Sequence, residues 1–243
     1  ELMNNVDSLS QTLAKNRSSR NRLFADISHE LRTPLTVLAG EIELLKAGIR
    51  PFDQKQLLSL EQESDLLRHL VDDLYQLSLS DVGALKYNFT DSDISSVLIR
   101  AINNLQQQAT AKNIKVATNV KANVVIEADE KRIEQLFLNV IANAISYTDD
   151  PGHLEITLVD TEGKVLITLI DSAPSVTVEQ CLQLFDPLYR LDESRTRRES
   201  GAGLGLAICK NIVEAHNGTI VAAPSTIGGL KITISLPMSR RKI

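Results

Sequence analysis

Two rows of apolar residues run through the first third of the chain at heptad spacing. Phe24, Leu31, Leu38 and Leu45 form one row; Leu35, Ile42 and Ile49 form the other. Such alternation of three and four marks a helix that buries a seam against other helices. It is expected to run to about Ala47, with Gly48, Pro51 and Phe52 turning the chain. Asp53 is placed to cap a second helix. There Leu57, Leu60, Ser64, Leu67, Val71 and Leu74 hold heptad positions, widened by Leu70 and Leu77. So broad an apolar face suits a four-helix bundle better than a two-stranded coil. One chain supplies only two helices, so two copies are expected to pair. Upstream, Leu2, Val6, Leu9 and Leu13 continue the spacing over residues 1–20, a stretch too short to be stable alone.

The heptads stop near residues 81–87, at Gly83, and the texture changes. Residues 97–108, 130–146 and 204–216 read as helices. Residues 114–120, 124–128, 154–160, 165–171 and 231–236 read as strands from their alternation and β-branched content. Helices interspersed with hairpin-forming strands predict an α/β sandwich, one layer of each. Gly228-Gly229 is expected to turn into the last strand. The chain shows no internal repeat.

Composition narrows the function. The 243 residues suffice for one large domain or two small ones. A net charge of −5 argues against nucleic acid as the main partner. Cys181 and Cys209 lie far apart in apolar surroundings and read as buried thiols, not as a disulfide or a metal site. No apolar run approaches the roughly 18 residues of a membrane span. The chain begins at Glu1 without Met and is read as a fragment of a longer protein.

The candidate chemistry starts at His29. It falls one residue after the Ser28 seam position, so its imidazole should sit beside the seam and reach water. A neutral imidazole is a competent nucleophile that a neighbouring group can orient or deprotonate. Glu30 is adjacent and Thr33 shares the helical face. Pro34 cannot donate to the carbonyl of Glu30, so the helix should bend just past the histidine. The alternative is a surface histidine in an amphipathic helix that happens to contain a proline.

A second set lies downstream. Asn139 and Asn143 share one helix face among Leu136, Phe137, Val140 and Ile141. Asn is a poor helix-interior residue. The pair reads either as polar groups placed for a ligand, with amide oxygens suited to Mg²⁺, or as helix–sheet glue. Asp171 ends a strand and is either a carboxylate over an apolar pocket, able to accept from the amine of adenine, or a turn-initiating Asp. The run Gly201-Ala202-Gly203-Leu204-Gly205-Leu206 precedes a helix. Its glycines allow close approach to phosphate, and the helix N-terminus offers N–H groups. It is neither a dinucleotide fingerprint nor a P-loop. Arg190, Arg195, Arg197 and Arg198 sit in a charged stretch that reads as a mobile lid, with a solvated loop as the alternative for Arg197 and Arg198.

The stretch Ala-Asp-Ile-Ser-His-Glu-Leu-Arg-Thr-Pro-Leu, residues 25–35, closely resembles the phospho-acceptor box of bacterial sensor histidine kinases. The remaining boxes of that family follow in order, and the resemblance covers essentially the whole chain. Asp171-Ser172-Ala173-Pro174 and the run 208–218 resemble its envelope-stress members. The resemblance implies three parts: residues 1–20, the end of a HAMP-type linker helix; 21–86, an antiparallel hairpin forming a dimeric four-helix bundle; and 87–243, a two-layer α/β ATP-binding domain of the GHKL (Bergerat) type. It implies His29 as acceptor, Glu30 as base or orienting group, and Thr33 as a positioner of water in the reverse reaction. It further implies Asn143 as the Mg²⁺ ligand, Asn139 on the phosphate side, Tyr147 near the nucleotide and Asp171 on adenine. Phosphates would lie under Gly201, Gly203, Leu204, Gly205 and Leu206, with Arg190 neutralising charge. Ser146, Ala173, Ser175 and Ser200 depart from the family pattern.

The chain is thus expected to be the cytoplasmic part of a sensor kinase of the inner (plasma) membrane, joined to that membrane only through segments outside this sequence. It would use Mg·ATP to phosphorylate His29, then pass the group to an aspartate on a response-regulator receiver domain, docked on the stem near Val37, Glu41 and Leu44. Two other readings compete. One is a scaffold that senses or lacks nucleotide, which the replacements at 146, 173, 175 and 200 motivate. The other is a hydrolytic ATPase of the same fold, as in gyrase-like or chaperone-like proteins, against which the His29 box argues.

Overall fold

The computed structural model describes residues 25–161, 163–191 and 203–238. The linker segment 1–20, Phe24, Arg195, Arg197, Arg198, Ser200 and Gly201 lie outside the described residues. The chain divides into two compact units, with the division between Asp72 and Asp73.

The first unit is helical. α1 covers residues 25–46 and runs unbroken through the buried Pro34. Its end is closed by Ile49 N–H on the carbonyl of Leu44 and Gly48 N–H on that of Leu45, both 3.1 Å, the Schellman pattern. α2, Gln54–Asp81, starts where Asp53 Oδ1 accepts from Gln56 N–H at 2.9 Å. Across the hairpin Ser59 Oγ donates to Glu41 Oε1 at 3.2 Å. The row Leu31, Leu38 and Leu45 is half-buried. The row Leu35, Ile42 and Ile49 stays exposed, at 60, 38 and 70%.

The second unit layers helices on a sheet. Its elements are β1 (Thr90–Asp93), α3 (Ile94–Ala111), β2 (Ile114–Val120), β3 (Val125–Ala128), α4 (Glu130–Tyr147), β4 (Gly152–Thr161), β5 (Lys164–Ser172), α5 (Val178–Gln183), α6 (Gly205–Ala215), β6 (Thr219–Pro224) and β7 (Gly228–Pro237). Five strands make one sheet in the order β2-β4-β5-β7-β6; β1 and β3 pair separately. β2 runs parallel to β4 and the remaining pairs are antiparallel.

The alternation of the sequence explains the core. Leu154, Ile156 and Leu158 of β4, Val165, Ile167 and Leu169 of β5, and Ile232, Ile234 and Leu236 of β7 point one way and are buried. Ile133, Leu136, Phe137, Val140 and Ile141 of α4 bury the facing stripe. Removing that much apolar surface from water is the main stabilising term of the unit. Three elements were not expected from the pattern. β1 is the polar tetrapeptide Thr-Asp-Ser-Asp and exists through its pairing with β3. β6 is an edge strand with weak alternation, and α5 is only six residues long.

Candidate nucleotide site and phospho-acceptor helix

One cavity of about 260 Å³ opens beside α4. Asn139, Asn143 and Tyr147 line it from successive turns of that helix, because residues four apart share a face. Asp171 lines it from the end of β5, Arg190 from the segment after α5, and Gly203, Gly205 and Leu206 from the start of α6. Leu204, the N-cap residue of α6, is buried and does not line the cavity. Three candidates lie elsewhere: His29, Glu30 and Thr33 belong to α1 of the helical unit.

Asp171 is held by a register break. β5 and β7 pair as Ile170 with Lys231 and then as Ser172 with Gly228, so the ladder shifts between them. The shift frees the amide of Leu230, which donates to Asp171 Oδ1 at 2.6 Å. The carboxylate is 7% exposed. Burial pushes its pKa up to about 6, and the Leu230 hydrogen bond offsets only part of that. Such a group favours a ligand that donates to it and so stabilises its ionised form.

The start of α6 supplies a further part of the cavity wall. Among the described residues no side chain caps the start of α6, so its first N–H groups point out without intrahelical partners. Gly203 adopts φ +74° and its carbonyl accepts from Leu188 N–H at 2.9 Å. A Cβ there would stand 3.1 Å from Leu188 Cα and from the carbonyl oxygen of Tyr189. The glycine thus joins the Leu188–Arg190 segment to the α6 loop at a tight spacing and in a left-handed conformation that side chains disfavour. Asn139 Nδ2 makes a long contact of 3.5 Å with the carbonyl of Gly205. Gly201 lies outside the described residues.

Two site residues escaped the sequence pattern. Gly229 and Leu230 open β7, where a turn was expected, and both pack on Asp171. The signal existed: glycine at the edge of a strand pattern marks close approach of another backbone.

His29 is exposed on α1. Thr33 Oγ1 donates to the backbone carbonyl of His29 at 3.3 Å. In a helix that hydroxyl occupies a carbonyl whose N–H partner is its own residue's amide, so it is tethered beside the acceptor face.

Residues 19–83 match the family described as His Kinase A (phospho-acceptor) domain. Residues 128–240 match the family described as histidine kinase-, DNA gyrase B-, and HSP90-like ATPase. Over 240 residues, 99% of its length, the chain is 43% identical to the signal transduction histidine-protein kinase BaeS of Escherichia coli K12. The chain belongs to the sensor histidine kinases. It spans about half of BaeS, 51% of that protein. A solved structure of the Acinetobacter baumannii histidine kinase AdeS superimposes with a TM-score of 0.74 at 27% identity, covering 87% of this histidine kinase chain and 98% of that one. Full-length ShkA, solved in complex with AMPPNP, matches at a TM-score of 0.65 and 25% identity over 89% of this chain and 45% of its own.

Proposed function

We propose that this chain binds Mg·ATP in the α4–α6 cavity and transfers the γ-phosphoryl group to His29. The observation that supports it best is the pairing, in one cavity, of a buried carboxylate with an uncapped helix N-terminus. The first suits the exocyclic amine of adenine and the second suits phosphates. AMPPNP bound to ShkA is consistent with a nucleotide ligand.

In this reading Asp171 Oδ2 accepts from the adenine amine while Oδ1 keeps the Leu230 amide. Gly203, Leu204, Gly205 and Leu206 present backbone N–H groups to the phosphates, and Arg190 neutralises charge. Among the described residues no three His, Cys, Asp or Glu cluster into a metal site. A Mg²⁺ ion arriving with ATP would need few protein ligands. Asn143, with an amide oxygen on the cavity wall, fits that role, and the ion would lower the charge of the phosphates. A ring nitrogen of His29 attacks the γ-phosphorus in line; the bond from phosphorus to the ADP oxygen breaks as the N–P bond forms. The other ring nitrogen gives up its proton, with Glu30 as base or orienting group. Positioning and charge neutralisation supply most of the acceleration.

The phosphoryl group then passes to an aspartate of a response-regulator receiver domain on the helical stem. Thr33, tethered beside His29, positions water when the regulator is dephosphorylated. The exposed row Leu35, Ile42 and Ile49 is the seam a second copy covers, giving the four-helix bundle. Among the described residues no helix is long and apolar enough to cross a membrane; we read the chain as the cytoplasmic portion of a plasma-membrane sensor.

The scaffold reading rests on the departures at Ser146, Ala173, Ser175 and Ser200. Ala173 does not take a positive φ, so alanine costs little where the family carries glycine. Incubation with γ-labelled Mg·ATP decides. Acid-labile, base-stable label is expected on the wild type and absent from His29→Ala and Asn143→Ala. Label surviving in His29→Ala overturns the acceptor assignment. ATP binding without label on any form supports the scaffold, and steady phosphate release without a phosphoprotein supports a hydrolytic ATPase.

A further inference from the structure

His216 stands just past the end of α6 and is 3% exposed. Its Nε2 accepts from the backbone N–H of Asp129 at 3.0 Å. Its Nδ1 lies 2.7 Å from the carbonyl of Ile212, which can only accept, so Nδ1 donates. A ring that accepts at one nitrogen and donates at the other is neutral and confined to one tautomer.

The connector that follows α2, residues 84–89, packs against this node through two adjacent rings. Tyr87 meets the imidazole edge-on, with centroids 5.6 Å apart, and Phe89 packs at 5.0 Å. Between them, Asn88 N–H donates to Asp129 Oδ2 at 2.9 Å. Asp129 Oδ1 meanwhile accepts from Arg132 N–H at 3.2 Å and so caps α4. The Tyr87 hydroxyl is sealed without a hydrogen-bond partner among the described residues, so ring packing holds that side chain. One imidazole therefore meets the connector, the start of the helix that carries Asn139 and Asn143, and the end of the helix that begins at Gly205.

We infer that His216 is a positioning residue: as the neutral Nδ1–H tautomer it latches the connector onto the ends of the two helices that line the nucleotide cavity. A second proton would set Nε2–H against Asp129 N–H, two donors facing each other, and release the latch. The titratable and charged groups at the node are Asp129 and Arg132 at the start of α4 and Tyr87 of the connector. Burial disfavours the charged ring and outweighs both the Ile212 carbonyl and Asp129, so the pKa of His216 lies below its ordinary value. The neutral form is the one present at neutral pH.

Nitrogen NMR and amide exchange on the full 243-residue chain test this independently of phosphoryl transfer. Wild type at pH 7 is expected to show a pyrrole-type Nδ1 and a pyridine-type Nε2; a charged ring or the other tautomer overturns the latch. In His216→Ala the protection factor of the Asn88 amide is expected to fall about tenfold, the equivalent of one hydrogen bond. His216→Gln, whose amide supplies one acceptor and one donor, is expected to restore it, and Tyr87→Phe to leave it unchanged. Unchanged protection in the alanine variant, or no recovery with glutamine, overturns the proposal. As pH falls below neutral, wild type is expected to lose Asn88 protection while His216→Gln keeps it; matching profiles overturn it too. This last comparison and the tautomer spectrum stand even where the alanine variant does not fold.

Discussion

Gly229 lies so close to Asp171 that a Cβ on it would stand 2.2 Å from Oδ1 and 2.4 Å from the carbonyl of Ser172. The contact is made by backbone against carboxylate, and β5 and β7 hold both sides. Two of the three nearest atoms are backbone carbonyl oxygens, of Ser172 at 2.4 Å and Asp171 at 2.5 Å, which no side-chain rotation removes. Gly229→Ala must therefore push the strands apart or expel the carboxylate from its place on the Leu230 amide. It is expected to cost about 1–3 kcal/mol of stability, as overpacked cores do, and to weaken ATP binding more than tenfold, roughly 1.4 kcal/mol. Isothermal titration with ATP beside thermal unfolding checks both; wild-type affinity in the variant would sever Gly229 from the site.

Asp171 makes stability and binding respond to pH in opposite senses. Its pKa is near 4 unfolded and about 6 folded. The folded state binds the extra proton, so this contribution is full below pH 4 and is lost as pH rises through 6. The displacement is worth on the order of 3 kcal/mol. Asp171→Asn keeps an oxygen for Leu230 and removes the charge, so it is expected to unfold at higher temperature than wild type at pH 7.5 and to match it at pH 4.5. In the proposed site the same variant would present an NH₂ to the adenine amine, and it is expected not to bind ATP. Wild-type affinity for ATP is expected to fall below pH 6. A less stable Asp171→Asn at pH 7.5 would contradict the burial argument.

The two glycines at the start of α6 are expected to behave differently. Gly203 takes φ +74° and has backbone atoms 3.1 Å from an added Cβ. Gly205 is helical, and an added Cβ would meet only the Asn139 side chain, at 3.7–4.0 Å. Gly203→Ala is expected to destabilise by about 1–2 kcal/mol from the left-handed backbone alone. Gly205→Ala is expected to leave stability unchanged or raise it by a few tenths of a kcal/mol through helix propensity. Chemical denaturation of the two variants separates them, and equal losses would refute the assignment.

The exposed row on α1 predicts an assembly. Leu35→Glu with Ile42→Glu places charges on the seam a second copy would bury, where unpaired charge is costly. Sedimentation is expected to show a dimer for wild type and a monomer for the double variant, with ATP affinity within about twofold of wild type because the cavity lies in the other unit. A dimer that survives the substitutions would move the interface elsewhere.

What could be read from residue order is what repeats at the period of one element. The heptad rows disclosed α1 and α2, since a helix buries whatever recurs every three to four residues. Alternation disclosed β2, β4, β5 and β7, since a half-buried strand buries every second side chain. The same periods put Asn139 and Asn143 on one face, and His29 beside a seam. The polar β1 and the edge strand β6 stayed hidden because pairing, not patterning, makes them strands.

The contacts between distant segments were decided only by folding. Asp171 and Leu230 are far apart along the chain, and nothing local to either says that a register break will present one amide to one carboxylate. The parallel pairing of β2 with β4, and the meeting of Tyr87, Asp129 and His216, belong to the same class. Local propensity sets which elements form; burial of their shared core sets which of them touch, and the polar groups of the site are aligned only as a consequence of that packing.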